Sequence, residues 1–232
     1  MLPFTLLRTC ADLVFPPVCH SCNAALPGGA AIACPACLAA MAAVDEWDDA
    51  YLDAFRRLNE EGTVPEFVAA WYFERDGPLR TLMHRLKYGG MTLIGEQFGH
   101  GLGERILVAG LGESDIIVPL PLHPSRIRER GFNQCDYIAR GISRVTGRPV
   151  LSGLVRRTRF TPSQTPLGHR KRRENVRDVF ALPPRTRPGV EGKTVLLVDD
   201  VVTTGSTMRS CAGVLRRAGA RAVIACAVAI AR

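Results

Sequence analysis

The stretch T-V-L-L-V-D-D-V-V-T-T-G-S-T, Thr194 to Thr207, joins an apolar strand, two adjacent carboxylates and a hydroxyl-rich loop in one run. Val195 to Val198 is β-branched or Leu throughout, the composition of a strand buried on both faces of a parallel sheet. Open α/β sheets bind ligands outside the carboxyl ends of such strands, which is where Asp199 and Asp200 fall. The pair offers acceptors for vicinal ribose hydroxyls or for a Mg²⁺ shell. Thr203, Thr204, Gly205, Ser206 and Thr207 follow with hydroxyls and closely approachable amides at the start of the next helix. Unpaired N–H groups and the helix dipole make such a start a seat for phosphate. The bland reading, an Asp turn followed by a threonine cap, explains each part but not their order. A nucleoside triphosphate P-loop is excluded, because no G-x-x-x-x-G-K-[ST] occurs.

Outward from this run, apolar strands alternate with amphipathic helices. Residues 64–74 and Ile116 to Leu120 read as strands, and Val223 to Val228 completes the central set. Pro78 starts a helix that Gly89-Gly90 stops, Gly95 to Leu107 reads as a second, and Phe132 to Val145 as a third, closed by Gly147. Asp45 to Glu61 spaces Trp47, Tyr51, Leu52, Phe55 and Leu58 at mostly three and four residues, which predicts an amphipathic connecting helix with those side chains as its buried stripe. Pro183 to Gly192 has the composition of a surface turn. The alternation predicts an α/β fold with a twisted, mainly parallel sheet and helices on both faces.

The 232 residues can bury one substantial core and carry a small extra module. Charge is divided unevenly: residues 1–63 carry a net −5, leaving +13 for residues 64–232. A basic larger part suits a diphosphate or nucleic acid, although a charge excess alone is more often solvated surface. No run of sequence has the length and apolarity of a membrane span, and the amino terminus lacks a basic segment followed by a long apolar core. The expected location is the cytoplasm.

Five of the eight cysteines lie in the first 37 residues. Cys19-His20-Ser21-Cys22 and Cys34-Pro35-Ala36-Cys37 are two C-x₂-C pairs with eleven residues between them, the pattern of a tetrahedral Zn²⁺ site. A redox C-x₂-C pair is the competing reading, but it belongs before a helix in a βαβ unit, and Leu13 to Pro17 do not resemble one. Four thiolates close the metal's coordination, so no catalytic role is expected of it. His20 is a spare ligand more simply read as a loop residue. Cys10, Cys135, Cys211 and Cys226 read as packing residues.

Three further segments carry a family resemblance: L-K-Y-G-G at 86–90, V-P-L-P-L-H-P-S-R-I-R-E-R-G-F-N-Q at 118–134, and T-P-S-Q-T-P-L-G-H-R-K-R-R-E-N-V-R-D-V-F at 161–180. With the paired C-x₂-C and the Asp199-Asp200 run, the chain resembles the ComF family of competence-associated phosphoribosyltransferase-like proteins almost end to end. The resemblance implies a double zinc ribbon at 1–44, a connecting helix at 45–63 and a type I phosphoribosyltransferase domain at 64–232. It also implies a relation to the amidophosphoribosyltransferases and a role in DNA uptake or utilisation during natural transformation. Residue 2 is Leu, not the Cys nucleophile of a glutaminase, which argues against glutamine-dependent amination.

On this reading the ligand is phosphoribosyl diphosphate (PRPP) with Mg²⁺. Asp199 and Asp200 orient the ribose and the metal, Thr203 to Thr207 seat the 5-phosphate, and cations meet the diphosphate as the anomeric carbon gains oxocarbenium character. Arg126, Arg128 and Arg130 lie in the implied diphosphate loop, and Arg170 to Arg173 in an implied mobile hood; Arg130 and Arg173 are the expected catalytic pair. Thr203 stands where purine-specific relatives commonly carry an acid, which argues against a 6-oxopurine acceptor. His123 and His169 are candidate proton carriers. The alternative function is a non-catalytic factor that binds single-stranded DNA through its basic loops and zinc ribbon, since residues 156–177 carry eight Lys or Arg against one acid, with Phe160 for stacking. A third reading leaves the phosphate site vestigial and the protein working through DNA-uptake partners.

Overall fold

The computed structural model describes residues 17–26, 32–158 and 179–232, without the side chain of residue 61. Its frame is one parallel sheet of four strands in the order β1-β6-β5-β2: β1 is Glu66–Phe73, β2 Ile116–Pro119, β5 Thr194–Val202 and β6 Ala222–Ala231. A separate pair, β3 (Arg156–Arg157) and β4 (Phe180–Ala181), is antiparallel. The helices are α1 (Pro35–Ala39), α2 (Asp49–Leu58), α3 (Pro78–Tyr88), α4 (Thr92–Val108), α5 (Pro124–Arg130), α6 (Gln134–Thr146) and α7 (Ser206–Arg217).

β5 and β6 lie inside the sheet, and Val195 to Val198 and Val223 to Ile230 are buried, as uninterrupted apolar runs require. Because side chains alternate along a strand, β5 feeds two cores. Val195 and Leu197 pack with Tyr51 and Leu58 of α2 and with Met208, Cys211 and Leu215 of α7. Leu196 and Val198 pack with Leu82 and Leu86 of α3, Phe98 of α4 and Ile138 of α6. The helices therefore cover both faces, as expected. Cys19, Ile32, Cys37 and Met41 belong to the second core, so the cysteine segment is seated on the α3/α4 side.

Three expectations change. The connecting helix is shorter than predicted, because Asp48 caps it by accepting from the Ala50 amide and a 3-10 turn, Glu60–Gly62, follows Asn59. Trp47 precedes that cap and is 87% exposed; the buried stripe is Tyr51, Ala54 and Leu58, with Leu52 and Phe55 half-buried. The 124–130 segment is a helix rather than a loop, with Pro124 in its first turn and His123 capping it: the His123 ring nitrogen lies 2.7 Å from the Ser125 hydroxyl and accepts from the Ser125 amide. The Pro183 to Gly192 turn contains a 3-10 helix, Pro184–Gly189.

α4 and α6 cross at glycines. A Cβ on Gly99 would overlap the Ile138 carbonyl, and one on Gly141 the Glu96 carbonyl. Backbone meets backbone there, and α6 cannot move away from the sheet without losing that contact. Gly99→Ala and Gly141→Ala should each cost about 1–3 kcal/mol through overpacking, read as a fall of several degrees in Tm in a thermal melt; an unchanged Tm would show that the helices can separate.

Candidate functional site

β5 runs on through Asp199 and Asp200 before the chain turns, so the acid doublet lies at the carboxyl end of a central strand. The residues after β2 line the same end, since the Leu120 amide donates to the Val198 carbonyl at 2.8 Å. Asn133 secures the other side of this loop. Its side-chain oxygen caps α6 at the Cys135 amide, and its NH₂ donates to the Leu120 carbonyl at 3.1 Å. The run R-G-F-N-Q thereby brings Arg130 and Gln134 beside the doublet.

Asp200 is buried and fully engaged. Its Oδ2 receives the Lys87 ammonium at 2.6 Å and the Gln134 amide at 3.0 Å, and its Oδ1 accepts from the Val201 amide at 2.7 Å. Burial alone would raise its pKa, but the Lys87 charge and hydrogen bond outweigh that and hold the carboxyl below its ordinary range. In Lys87, burial pulls the ammonium down and the two aspartates more than offset it, so its pKa is raised. Removing one member of so buried a pair leaves an uncompensated charge, a cost of about 3–5 kcal/mol.

Asp199 is less enclosed. Its Oδ1 accepts from the Asp200 amide at 2.8 Å and from the Cys135 thiol at 3.6 Å. Burial, then the neighbouring Asp200 charge, raise its pKa to about 7. The Cys135 thiol is pushed well up by burial and by both aspartates, so it serves as a donor and not as a nucleophile.

Gln134 also accepts from Arg130 at 2.9 Å, and Arg130 reaches the Tyr88 hydroxyl at 3.4 Å with its guanidinium over the Tyr88 ring. Its buried Nε has no hydrogen-bond partner. Arg126 instead pairs with Glu129 on its own helix at 2.8 Å, and Arg128 points to solvent. Arg157 on β3 lies within electrostatic reach of Asp199, and burial lowers its pKa.

Beyond the doublet, Thr203 and Thr204 are exposed, and Gly205 takes a left-handed conformation at φ 72° at the amino end of α7. A side chain there would be strained and would press on Leu58. Gly205 offers no side chain to cap α7; the Thr204 hydroxyl lies 3.0 Å from that of Ser206 and accepts weakly from the Ser206 amide at 3.5 Å. Ion pairing of Arg209 with Glu60, and its hydrogen bond to the Arg57 carbonyl at 2.6 Å, fix α7 against the end of α2.

The structure thus brings together Asp199, Asp200, Arg130 and the 203–207 loop. Arg173, His169, Phe160 and Cys10 lie outside the described residues. Sequence reading passed over Lys87, Gln134, Cys135 and Tyr88 as site residues; the signals were the L-K-Y-G-G and F-N-Q segments, quoted for resemblance and given no role.

At the amino-terminal side, the four sulfurs of Cys19, Cys22, Cys34 and Cys37 all lie within 4.8 Å of one another. The Cys22–Cys34 separation is 3.7 Å, close to the edge of about 3.8 Å that a sulfur tetrahedron has at a Zn–S distance of about 2.3 Å. The Cys19 sulfur accepts from the Ser21 and Cys22 amides at 3.4 and 3.5 Å. Burial opposes ionisation of Cys19, yet these backbone hydrogen bonds lower its pKa to about 6, as a metal thiolate needs. Cys37 is pushed to about 12 by burial; a bound dication would reverse that. His20 is not part of the sulfur group.

The phosphoribosyl transferase domain family matches residues 137–232, the span that holds the acid doublet and the 203–207 loop. DNA utilization protein YhgH of Escherichia coli K12 is 39% identical over 150 residues, 63% of this chain and 64% of that protein. Competence protein F of Haemophilus influenzae is 36% identical over 105 residues, 45% of each chain. The chain is similar to the proteins of the ComF family. It spans just under two thirds of the length of the Escherichia coli relative. A solved glutamine PRPP amidotransferase from B. subtilis covers 61% of this chain and 30% of its own, at 23% identity and a TM-score of 0.40. Among the described residues no helix is long and apolar enough to cross a membrane.

Two outcomes are expected. Native mass spectrometry should find one zinc per chain, lost in Cys34→Ser with a Tm lower by several degrees; metal-free wild-type protein of unchanged Tm would contradict it. For Asp199, a folded pKa raised to about 7 means stability that is present below the unfolded carboxylate pKa and lost as pH rises through about 7. Asp199→Asn escapes that loss, so its Tm advantage over wild type should be larger at pH 8 than at pH 4, by on the order of 5 °C.

Proposed function

We propose that this protein is a ComF-family member that binds PRPP and carries out Mg²⁺-dependent phosphoribosyl transfer to an acceptor, in the service of DNA utilisation. One observation carries the reading: an acid doublet at the tip of a central parallel strand is followed by a hydroxyl-rich, glycine-bent loop at the start of a 12-residue helix. The Asp199 carboxyl, with Asp200 behind it, suits a ribose hydroxyl. The loop suits the 5-phosphate, because its amides and the helix dipole point to one place.

The donor set fits Mg²⁺, which binds through one or two carboxylates plus substrate phosphates. Asp199, with Asp200 behind it, would hold the ion, whose contribution is to neutralise the departing diphosphate. Arg130, steered by Gln134 and Tyr88, adds positive charge on that side, and Arg173 is assigned the same task from its own segment. Asp199 and the 203–207 loop hold the sugar still while charge builds at its anomeric carbon. Zinc at Cys19, Cys22, Cys34 and Cys37 is structural. We assign 1–44 to the zinc ribbon, 45–63 to the connecting helix and 64–232 to the transferase domain, with the cytoplasm as the place of work; none of the seven described cysteines is in a disulfide.

The names of the relatives, DNA utilization protein and competence protein, support the link to DNA. Direct single-stranded DNA binding through the basic residues is the competing reading. Calorimetric titration with PRPP and Mg²⁺ separates the two. Wild type should bind with a Kd in the micromolar range, about −8 kcal/mol, and Asp199→Asn/Asp200→Asn should show no heat at millimolar ligand. The same variant should keep or slightly gain any DNA affinity, which must fall steeply with salt if it is real. A silent wild type sinks the PRPP reading.

A further inference from the structure

We propose that Lys87 is a positioning residue that divides the acid doublet, holding Asp200 as an inward prop so that Asp199 is the carboxylate that meets the sugar. The inference rests on the phosphoribosyl reading and assigns unequal roles within its site.

Consecutive strand residues face opposite sides of a sheet. Asp199 continues the series Val195, Leu197, on the side of α2 and α7, where the 203–207 loop opens. Asp200 continues Leu196, Val198, on the side of α3 and α6. On that side its two oxygens have three partners: the Lys87 ammonium, the Gln134 amide and the Val201 amide. A carboxylate so engaged and so buried has little left to offer a ligand. Asp199 is half-buried, and the Asp200 amide and the Cys135 thiol both bond its Oδ1, with the Asp200 carboxyl beside it. Asp199, with no cationic partner at hydrogen-bond distance among the described residues, is therefore the carboxyl of the doublet with more to offer a ligand.

Lys87 is well placed to act through Asp200. It stands in the last turn of α3, is itself largely covered, and is followed by Tyr88, which holds Arg130. Gln134 joins the two arms, donating to Asp200 and accepting from Arg130. The ammonium fixes the Asp200 side chain, and through the Asp200 amide the Asp199 carboxylate is fixed as well. Lys87 itself need not touch the ligand.

The test is a double-mutant cycle read by calorimetric titration with PRPP and Mg²⁺, with thermal melts in parallel. Lys87→Met should weaken binding about tenfold or more at a temperature where it is folded, because the lone Asp200 charge shifts the strand tip. Lys87→Arg should recover most of that loss. Lys87→Met/Asp200→Asn removes both charges together and should return to within about threefold of wild type, while Asp199→Asn stays silent. A folded double variant that does not bind would show that Asp200 meets the sugar, and wild-type affinity in Lys87→Met would show that nothing is positioned; either overturns the proposal. If Lys87→Met fails to fold, the double variant decides alone. A silent wild type instead defeats the phosphoribosyl reading, and this division with it.

Discussion

Two carboxylates on consecutive residues of a strand must part company, one to each face of the sheet, and in this protein both faces are covered by helices. Burying a charge on either side is costly unless a partner is supplied. The fold supplies one for Asp200, bringing Lys87 from α3 and Gln134 from α6 to the same oxygen. For Asp199 it supplies a thiol and an amide, with no cation at hydrogen-bond distance among the described contacts. The difference between their protonation behaviours follows from that asymmetry, as does the placement of α3 and α6 around the strand tip.

Much of this was legible in the sequence because it is written locally. The strand, the doublet and the bend of residues 194–207 are contiguous, so their physical roles could be read without knowing the fold. The α3 boundaries at Pro78 and Gly89 are equally local, as is the four-sulfur group, whose turns are set by two short repeats. What was not legible is long-range. Nothing near Lys87 says that Asp200, more than a hundred residues on, will be its partner. The same holds for Gln134, which is simply the first residue of a helix until β5 lies beside it. Trp47 shows the opposite failure: its spacing fits the helix stripe, but the Asp48 cap starts the helix after it. In the 124–130 segment a run of arginines suggested a loop, whereas Pro124, the His123 cap and an Arg126–Glu129 pair stabilise a helix.

The cysteine segment is more than an appendage to this arrangement. Asn23, next to the first C-x₂-C pair, accepts from Arg85 at 3.0 Å, and the Ile32 amide donates to Gln97 at 3.2 Å. Arg85 is on the helix that carries Lys87, and Gln97 on the helix that α6 crosses. The segment thus rests on both elements that form the back of the acid site.

The glycine crossing of α4 and α6 bears on what the site can accommodate. With main chain against main chain at Gly99 and Gly141, the wall behind Gln134 and Cys135 is incompressible and has no slack to yield to a bulkier guest. Any adjustment to molecules of different size must then come from the opposite bank, where Arg157 and the amino end of α7 stand.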